Sequence, residues 1–419
     1  MTHHHSPTHE ELRKRAVAAP ARDMVIVGAV LAVVGLGTFV ALLWGSDPAR
    51  AWRTFHINFL FFTGLSLGGI VFAAIQKLSK GVWAGAMVRF SEASVAFLPV
   101  SLLLFLLLFL GRRYLFPWIE HPTPIRGNWL TTSAVFWRDL VSLLVIFGVA
   151  TAFVYHDLRP DVADLRNAVS GWRRALYDRI AGDYLPEPPH QERSERRIGV
   201  LAGLLVVVYA YGLTMIAFDL IMSLAPYWVS TLLGAFYFMG AFLNGLAVLA
   251  LMTVYWRGRL GLHANIGRQQ FHDLGKLIFG FSVFWAYLMF SQLLVIWYGN
   301  LRDETGFVFY RLWGEWRPVA WLVLLLVFLI PFWGLIWVKS KITPATFAFF
   351  SLLIVCGIWL ERFLLIQPSL TPGGPLFGLT EVAITAGFLG LFLVSYGWFA
   401  TTFPLVSPRL AAQAEEVHH

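Results

Sequence analysis

Cysteine and charge are the two things that this sequence has least of. It contains one cysteine, Cys356, and only 13% of its 419 residues are charged. A single thiol excludes an intrachain disulfide, a cysteine-ligated iron–sulfur cluster, a cysteine-based zinc site and a c-type haem attachment site. The low charge, beside 58% hydrophobic residues, excludes an ordinary soluble domain. The chain is therefore predicted to be an all-α integral membrane protein with no covalently bound cofactor.

Ten apolar stretches are each long enough to cross a bilayer, which takes about 20 residues of helix. They fall at residues 24–44, 52–76, 86–111, 134–156, 198–223, 228–255, 271–298, 318–339, 344–366 and 379–402. The predicted organisation is an N-terminal arm (1–23), transmembrane helices 1–4 (24–156), a loop (157–197), transmembrane helices 5–10 (198–402) and a tail (403–419).

The positive charge of the chain is distributed unevenly between the two sides of the membrane. Of the 32 Arg and Lys residues, 21 lie toward the side of the N-terminus and 9 toward the other side. Because cytoplasmic loops are enriched in basic residues, both termini are predicted to be cytoplasmic. The same rule accounts for the net charge of +8 without nucleic acid as a partner.

The predicted loop and the two ends of the chain carry features outside the spans. Residues 161–180 place Val162, Leu165, Val169, Trp172 and Leu176 at helical spacing, which predicts an amphipathic helix on the membrane surface, with a docking site for a partner as the alternative. The histidines at the ends of the chain predict no metal site; they are His3, His4, His5, His9, His418 and His419.

Charged and titratable side chains within the spans are the candidate functional residues, since burying them in lipid is costly. In the first half they are His56, Arg138, Asp139 and Asp219 near the outer face, with Glu92 near the inner face. In the second half, His272, Asp273 and Lys276 lie at the inner end of span seven. Gln292, Glu361, Arg362 and Glu381 lie further toward the outer face.

Two interpretations of these residues remain open. They form either structural ion pairs between helices or a relay of titratable groups that carries protons. Residues adjacent in sequence diverge around a helix, so we expect Asp273 to find its partner on another helix. We likewise expect Arg138 to pair with Asp219 and Arg362 with Glu381.

A bound haem is not predicted, because a transmembrane b-type haem takes two facing histidines. His56 is placed near the outer face, while His156 and His272 are placed near the inner face, and no spacing pairs these last two.

Span seven carries a recognisable pattern. It contains His272-Asp-Leu-Gly-Lys276, Phe284-Trp-Ala-Tyr287, Phe290-Ser-Gln292 and Trp297-Tyr-Gly-Asn300, and Arg89 with Glu92, Leu98-Pro99 and Phe116-Pro-Trp118 agree with it. This pattern resembles the NrfD-like (polysulfide reductase membrane subunit-like) family, and most of all the ActF-type subunit of bacterial alternative complex III. The resemblance implies two four-helix bundles with one flanking helix at each end.

The resemblance also implies a function: an integral subunit of a quinol-oxidising respiratory complex. The implied partners are membrane lipids, a second NrfD-like subunit, an iron–sulfur protein, and multihaem and monohaem c-type cytochromes. Quinol or menaquinol is the implied ligand, with His56, Arg138, Asp139 and Asp219 as its candidate site. The alternatives are a secondary transporter, whose site lies at the midplane between broken helices, and a structural anchor for redox subunits.

Overall fold

The computed structural model describes residues 16–409 apart from 18, 46, 123, 186, 372 and 408, so the histidines at both ends lie outside the described residues. The helices are α1 (Arg22–Leu43), α2 (Pro48–Leu78), α3 (Met87–Leu115), α4 (Thr132–Leu165), α5 (Gly171–Ala181), α6 (Pro188–Leu220), α7 (Leu233–Arg259), α8 (Arg268–Gly299), α9 (Arg302–Leu312), α10 (Gly314–Leu335), α11 (Pro344–Leu370) and α12 (Leu379–Thr402). All but the short helices α5 and α9, and a further five-residue helix at Val338–Ile342, belong to ten candidate spans, so the prediction of an all-α multi-pass membrane protein is confirmed.

Polar contacts at the helix ends define two faces of the molecule. On one, called the terminal face here, Arg259 bonds Asp23 at 2.7 Å, and the Nε of Arg173 donates to the Thr402 carbonyl at 3.2 Å. On the other, called the opposite face, Arg50 on α2 pairs with Glu381 on α12 at 2.6 Å. Both ends of the described chain thus lie on the terminal face, as an even number of crossings requires.

Helix α2 is the central element, since the whole of its most apolar stretch is buried. It packs with α3, α4 and α6 in one bundle, and α7, α8, α10 and α11 form the other. The two bundles meet where α2 lies against α7 through small residues: a Cβ on Gly64 would lie 3.0 Å from the Ala241 Cβ. A Cβ added to Gly68 or to Gly245 would come still closer to backbone atoms of the facing helix. The two helices therefore contact each other almost backbone to backbone.

The first and last helices, α1 and α12, pack on each other along their whole length. Glycines make this possible: a Cβ added to Gly28 would lie 2.9 Å from the Gly390 carbonyl oxygen, and Gly35 meets Gly387 in the same way about two turns further along α1. The two flanking helices therefore form one pair beside the bundles. Much of the remaining surface of α1 is apolar and exposed, as in a helix that faces lipid.

The end of the fourth span differs from the expected one. Helix α4 runs past residue 156 to Leu165, and α6 begins at Pro188, so that together with α5 most of the predicted loop is helical. The amphipathic helix expected over 161–180 is confined to α5, with Tyr177 buried and Trp172 exposed. The charge of the α4 extension, which suggested a surface, is instead buried: Asp157 and Asp161 are both inside the protein.

We predict that Gly35→Leu separates α1 from α12. Its Cβ would fall on backbone of Gly387 and 2.9 Å from the Ala383 carbonyl oxygen, so neither helix can yield locally. The expected loss is about 1–3 kcal/mol, the range for overpacked sites, measured as a lower midpoint of thermal unfolding in detergent. Gly37→Leu is the control, because its Cβ meets nothing within 4 Å; equal destabilisation by both variants would contradict the prediction.

Candidate functional site

A buried cluster of charges, here called the inner cluster, lies toward the terminal face. Its centre is Arg89 on α3, whose guanidinium is completely buried. Arg89 donates to Glu92 at 2.5 Å, one turn along the same helix, and to Asp161 on α4 at 2.6 Å. It also lies 3.3 Å from the carboxylate of Asp157. One cation thus joins three carboxylates from two helices.

Two further cations balance the charge of the inner cluster. Lys77, in the last turn of α2, pairs with Asp157 at 2.7 Å, and Arg409, beyond α12, lies 3.6 Å from it. Arg89, Lys77 and Arg409 then face Glu92, Asp157 and Asp161, so the cluster is neutral overall. Burial of ions at this density requires such mutual compensation. One carboxylate oxygen of Glu92, Oε1, is still buried without a hydrogen bond from a described donor.

An open cleft of about 780 Å³ adjoins the inner cluster on the terminal face. Asp157, Lys77 and Arg409 belong to both the cleft wall and the cluster, while Gly85 and Val88 line it just before Arg89. The cleft therefore gives solvent access to two cations of the cluster, since the side chains of Lys77 and Arg409 are 20% and 31% exposed, while Asp157 is buried in the cleft wall. A titratable cluster with this access can exchange protons with one side of the membrane.

A second polar cluster, the outer cluster, lies in the first bundle toward the opposite face. Arg138 donates two hydrogen bonds, of 2.5 and 2.6 Å, to the carboxylate of Asp219, which confirms the predicted pair between α4 and α6. The guanidinium also lies 3.9 Å above the ring of Trp129. Asp139 is fully buried beside Asp219, and neither of its carboxylate oxygens accepts a hydrogen bond from a described donor.

His56 on α2 is the remaining member predicted for that end of the first bundle. It is completely buried, and both ring nitrogens lack a hydrogen bond within the described part of the chain. Its ring lies edge-on to Phe116, with centroids 6.3 Å apart. A buried imidazole without partners is unusual, since polar groups inside proteins are almost always satisfied by protein, water or ligand.

The second bundle holds its own buried pair, and it is not the predicted one. Arg362 contacts the neighbouring Glu361 at 2.6 Å and donates to the Tyr237 carbonyl at 3.0 Å. The expected pair of Arg362 with Glu381 is wrong, because Glu381 caps the start of α12 and binds Arg50 at 2.6 and 2.8 Å. Adjacent Cβ atoms do diverge, but a long guanidinium reaches back to the preceding carboxylate.

The predicted group on span seven is a surface feature. Asp273 pairs with Lys276 one turn along α8 at 2.6 Å and accepts from Gln269 at 3.0 Å, so the expected partner on another helix is wrong. The side chain of Lys276 is 55% exposed, and His272 and Gln292 are half-buried on the same helix. Nearby Lys341 lies outside the spans, where burial, assisted by Lys276, lowers the pKa of its ammonium group.

The members of the inner cluster were only partly foreseen. Arg89 and Glu92 were singled out, but Asp157 and Asp161 were assigned to a loop and Lys77 and Arg409 were not considered. One feature of the sequence does indicate these two residues. Asp157 and Asp161 are four residues apart, so they share a helix face if the fourth span is extended by nine residues to Leu165. Arg50, which holds Glu381, gave no such signal.

Residues 43–372 match the family model described as polysulphide reductase, NrfD. The chain belongs to this family. The match takes in α2 to α11, that is, both bundles with all members of their buried clusters except Arg409, and leaves out nearly all of α1 and the whole of α12. NrfD-family proteins are membrane subunits of quinol-linked respiratory complexes and partner with iron–sulfur and other redox subunits. A search of curated proteins finds no match.

We predict that Arg89→Gln destabilises the protein by about 3–5 kcal/mol, the cost of breaking a buried ion pair from one side. The change leaves Glu92 and Asp161 buried without their main cation. Thermal unfolding in detergent measures the loss. Arg174→Gln serves as the control, because its pair with Asp178 is solvent-exposed and worth about 0–1 kcal/mol. Similar losses in the two variants would show that the inner cluster contributes no more than a surface pair.

Proposed function

We propose that this NrfD-family chain is the proton-coupling membrane subunit of a quinol-oxidising respiratory complex of the alternative complex III type. It carries no redox centre of its own and is not catalytic alone. Partner subunits, including an iron–sulfur protein and c-type cytochromes, hold the electrons on the opposite face, and a second NrfD-like subunit lies in the same membrane. The terminal face is then cytoplasmic, in a bacterial inner membrane.

The observation that carries this proposal is the inner cluster beneath its open cleft. Lys77 and Asp157 stand at the cleft, and Arg89 links Asp157 to Glu92 inside the protein. The proposed proton carriers are Asp157 and Glu92, whose carboxyl groups are in hydrogen-bond contact, while Arg89 stays charged and holds both in place. In this assignment the cytoplasmic entrance lies in the first bundle. The sequence predicts this entrance from Glu92 together with His272, Asp273 and Lys276, of which the last three form the surface group on α8.

Hydroxyl groups continue from the inner cluster toward the middle of the membrane. Ser94 donates to the Ser66 carbonyl at 3.0 Å and to the Ser91 carbonyl at 2.6 Å, and Thr63 bonds Ser101 at 2.6 Å. A cavity of about 10 Å³ is lined by Ser91, Ser94 and Tyr396, which is about the space one water needs. These hydroxyl groups and the cavity are the proposed positions through which a proton passes between Glu92 and the outer cluster.

The outer cluster is the proposed exit of the first bundle. Two carboxyl groups in contact, Asp139 and Asp219, repel each other when both are ionised, so the pair favours holding one proton between them. Arg138 keeps Asp219 in place with two hydrogen bonds. In the second bundle, Glu361 is buried between Arg362, which donates to one of its oxygens, and the indole N–H of Trp285. Glu361 and Arg362 are the corresponding exit there.

Quinol contact at the outer cluster is a second candidate role for this chain, and one observation favours it. Both nitrogens of His56 are buried without a partner among the described residues, so a hydroxyl of quinol or menaquinol would satisfy one of them. Arg138, Asp139 and Asp219 complete the set of polar groups proposed for that contact.

The test of proton coupling is the number of protons moved per electron by the whole complex in liposomes. We expect Glu92→Gln and Asp139→Asn each to lower this ratio by half or more while quinol oxidation continues, since an amide cannot release the proton that a carboxyl releases. Asp273→Asn should leave the ratio unchanged, because Asp273 binds Lys276 at the surface.

Two other results would each contradict the proposal. If all three variants keep the wild-type ratio, the chain serves as an anchor for the redox subunits. If Asp273→Asn alone lowers the ratio, the entrance lies in the second bundle, at the surface group of His272, Asp273 and Lys276.

A further inference from the structure

A cavity of about 580 Å³ on the opposite face lies outside all the clusters described above. Three segments form it: residues 224–228 after α6, the helix α9, and residues 368–371 with 373 at the end of α11. None of these segments contributes to the proposed proton path. At its floor lies Arg311 on α9, which is only 5% exposed.

Arg311 is a buried cation without an anionic partner in the described residues. Its hydrogen bonds go to neutral groups: the Phe307 carbonyl at 3.0 Å, the Leu365 carbonyl at 2.7 Å and the Ser369 hydroxyl at 2.8 Å. Its Nε is buried with no hydrogen bond to a described acceptor. Arg311 lies outside the spans, and burial lowers the pKa of its guanidinium well below the usual value. A buried guanidinium that contacts only neutral groups would be stabilised by binding an anion.

Aromatic rings fix the position of this cation. The Arg311 guanidinium stacks on Phe307, 3.3 Å from the ring centroid, and Phe307 stacks in turn on Trp228 with centroids 3.6 Å apart. A second arginine lies close by: Arg53 on α2 donates to the Thr371 hydroxyl at 3.1 Å, and its Nε also lacks a described partner. Ser369 and Thr371, the hydroxyls that the two arginines bind, both line the cavity.

The rim of the cavity favours an amphipathic ligand over a free ion. Tyr227 and Tyr310 line it and are 60% and 70% exposed, as tyrosines are at the level of lipid headgroups. Leu224, Pro226 and Leu370 add apolar wall beside them. We propose that this cavity binds the phosphate of an anionic phospholipid headgroup, with Arg311 as the main cation, Arg53 as the second and the acyl chains along the apolar wall.

Two variants separate this site from general lipid binding. Arg311→Gln removes the charge and keeps a hydrogen-bond donor. Gly306→Leu fills the cavity without disturbing the fold, because a Cβ there meets nothing within 4 Å. The matched controls are Arg302→Gln, an exposed arginine on α9, and Gly299→Leu, whose Cβ also meets nothing within 4 Å. Neither control residue lines the cavity.

The experiment measures binding of phosphatidylglycerol to the delipidated full chain, purified with its partner subunits, by native mass spectrometry and by the midpoint of thermal unfolding. Phosphatidylcholine and inorganic phosphate are the comparison ligands. We expect phosphatidylglycerol to raise the midpoint, with affinity falling about tenfold in Arg311→Gln, as loss of a charge-assisted hydrogen bond implies. Gly306→Leu should abolish the effect, and both controls should behave as wild type.

Each other result overturns the proposal or part of it. Equal stabilisation by inorganic phosphate assigns the cavity to a free anion, and equal stabilisation by phosphatidylcholine removes the requirement for net charge. If Gly306→Leu binds phosphatidylglycerol as the wild type does, the lipid binds outside this cavity. The Gly306→Leu result decides the question even if Arg311→Gln fails to fold. No stabilisation of the wild type leaves the cavity without a lipid ligand.

Discussion

Compensation of buried charge is the constraint on which the rest of this structure depends. In an apolar interior an isolated ion is several kcal/mol less stable than in water, so each ion must have a partner or change its protonation state. Arg89 meets this constraint with three carboxylates on two helices, and Lys77 and Arg409 bring further segments of the chain to the same point. The inner cluster therefore fixes the relative positions of α2, α3 and α4, and the chain beyond α12, while its total charge stays near zero.

The same constraint gives the polar clusters a common chemistry. Each joins an arginine to a carboxylate, and each also brings a second polar group against a carboxyl group: Asp157 against Glu92 in the inner cluster, Asp219 against Asp139 in the outer cluster and Trp285 against Glu361 in the second bundle. The arginine holds its carboxylate in position, and two carboxyl groups in contact can share one proton. Structural pairing and the proposed proton transfer are thus compatible functions of one cluster.

The sequence predicted the fold well and the site in part. Apolar stretches of about 20 residues identify the membrane spans directly, because every helix that crosses the lipid must be long enough to span it and apolar in composition. Side-chain pairing is a different matter. The Arg138–Asp219 pair followed from depth, but Asp273 and Arg362 found partners on their own helices, where the reach of the side chain outweighs the divergence of adjacent positions. The inner cluster was hidden because its charged helical extension, Asp157 to Leu165, has the composition of a loop while it is buried against α3.

The central claim is that a carboxyl group of the inner cluster changes its protonation state during turnover. Infrared difference spectroscopy of the intact complex, before and after addition of quinol, measures this most directly through the carboxyl stretching bands. A carboxyl band that shifts in heavy water and is absent in Glu92→Gln is the predicted result. The same band pattern in wild type and Glu92→Gln would contradict it, since Glu92, a fully buried acid of the cluster, would then keep its proton state throughout.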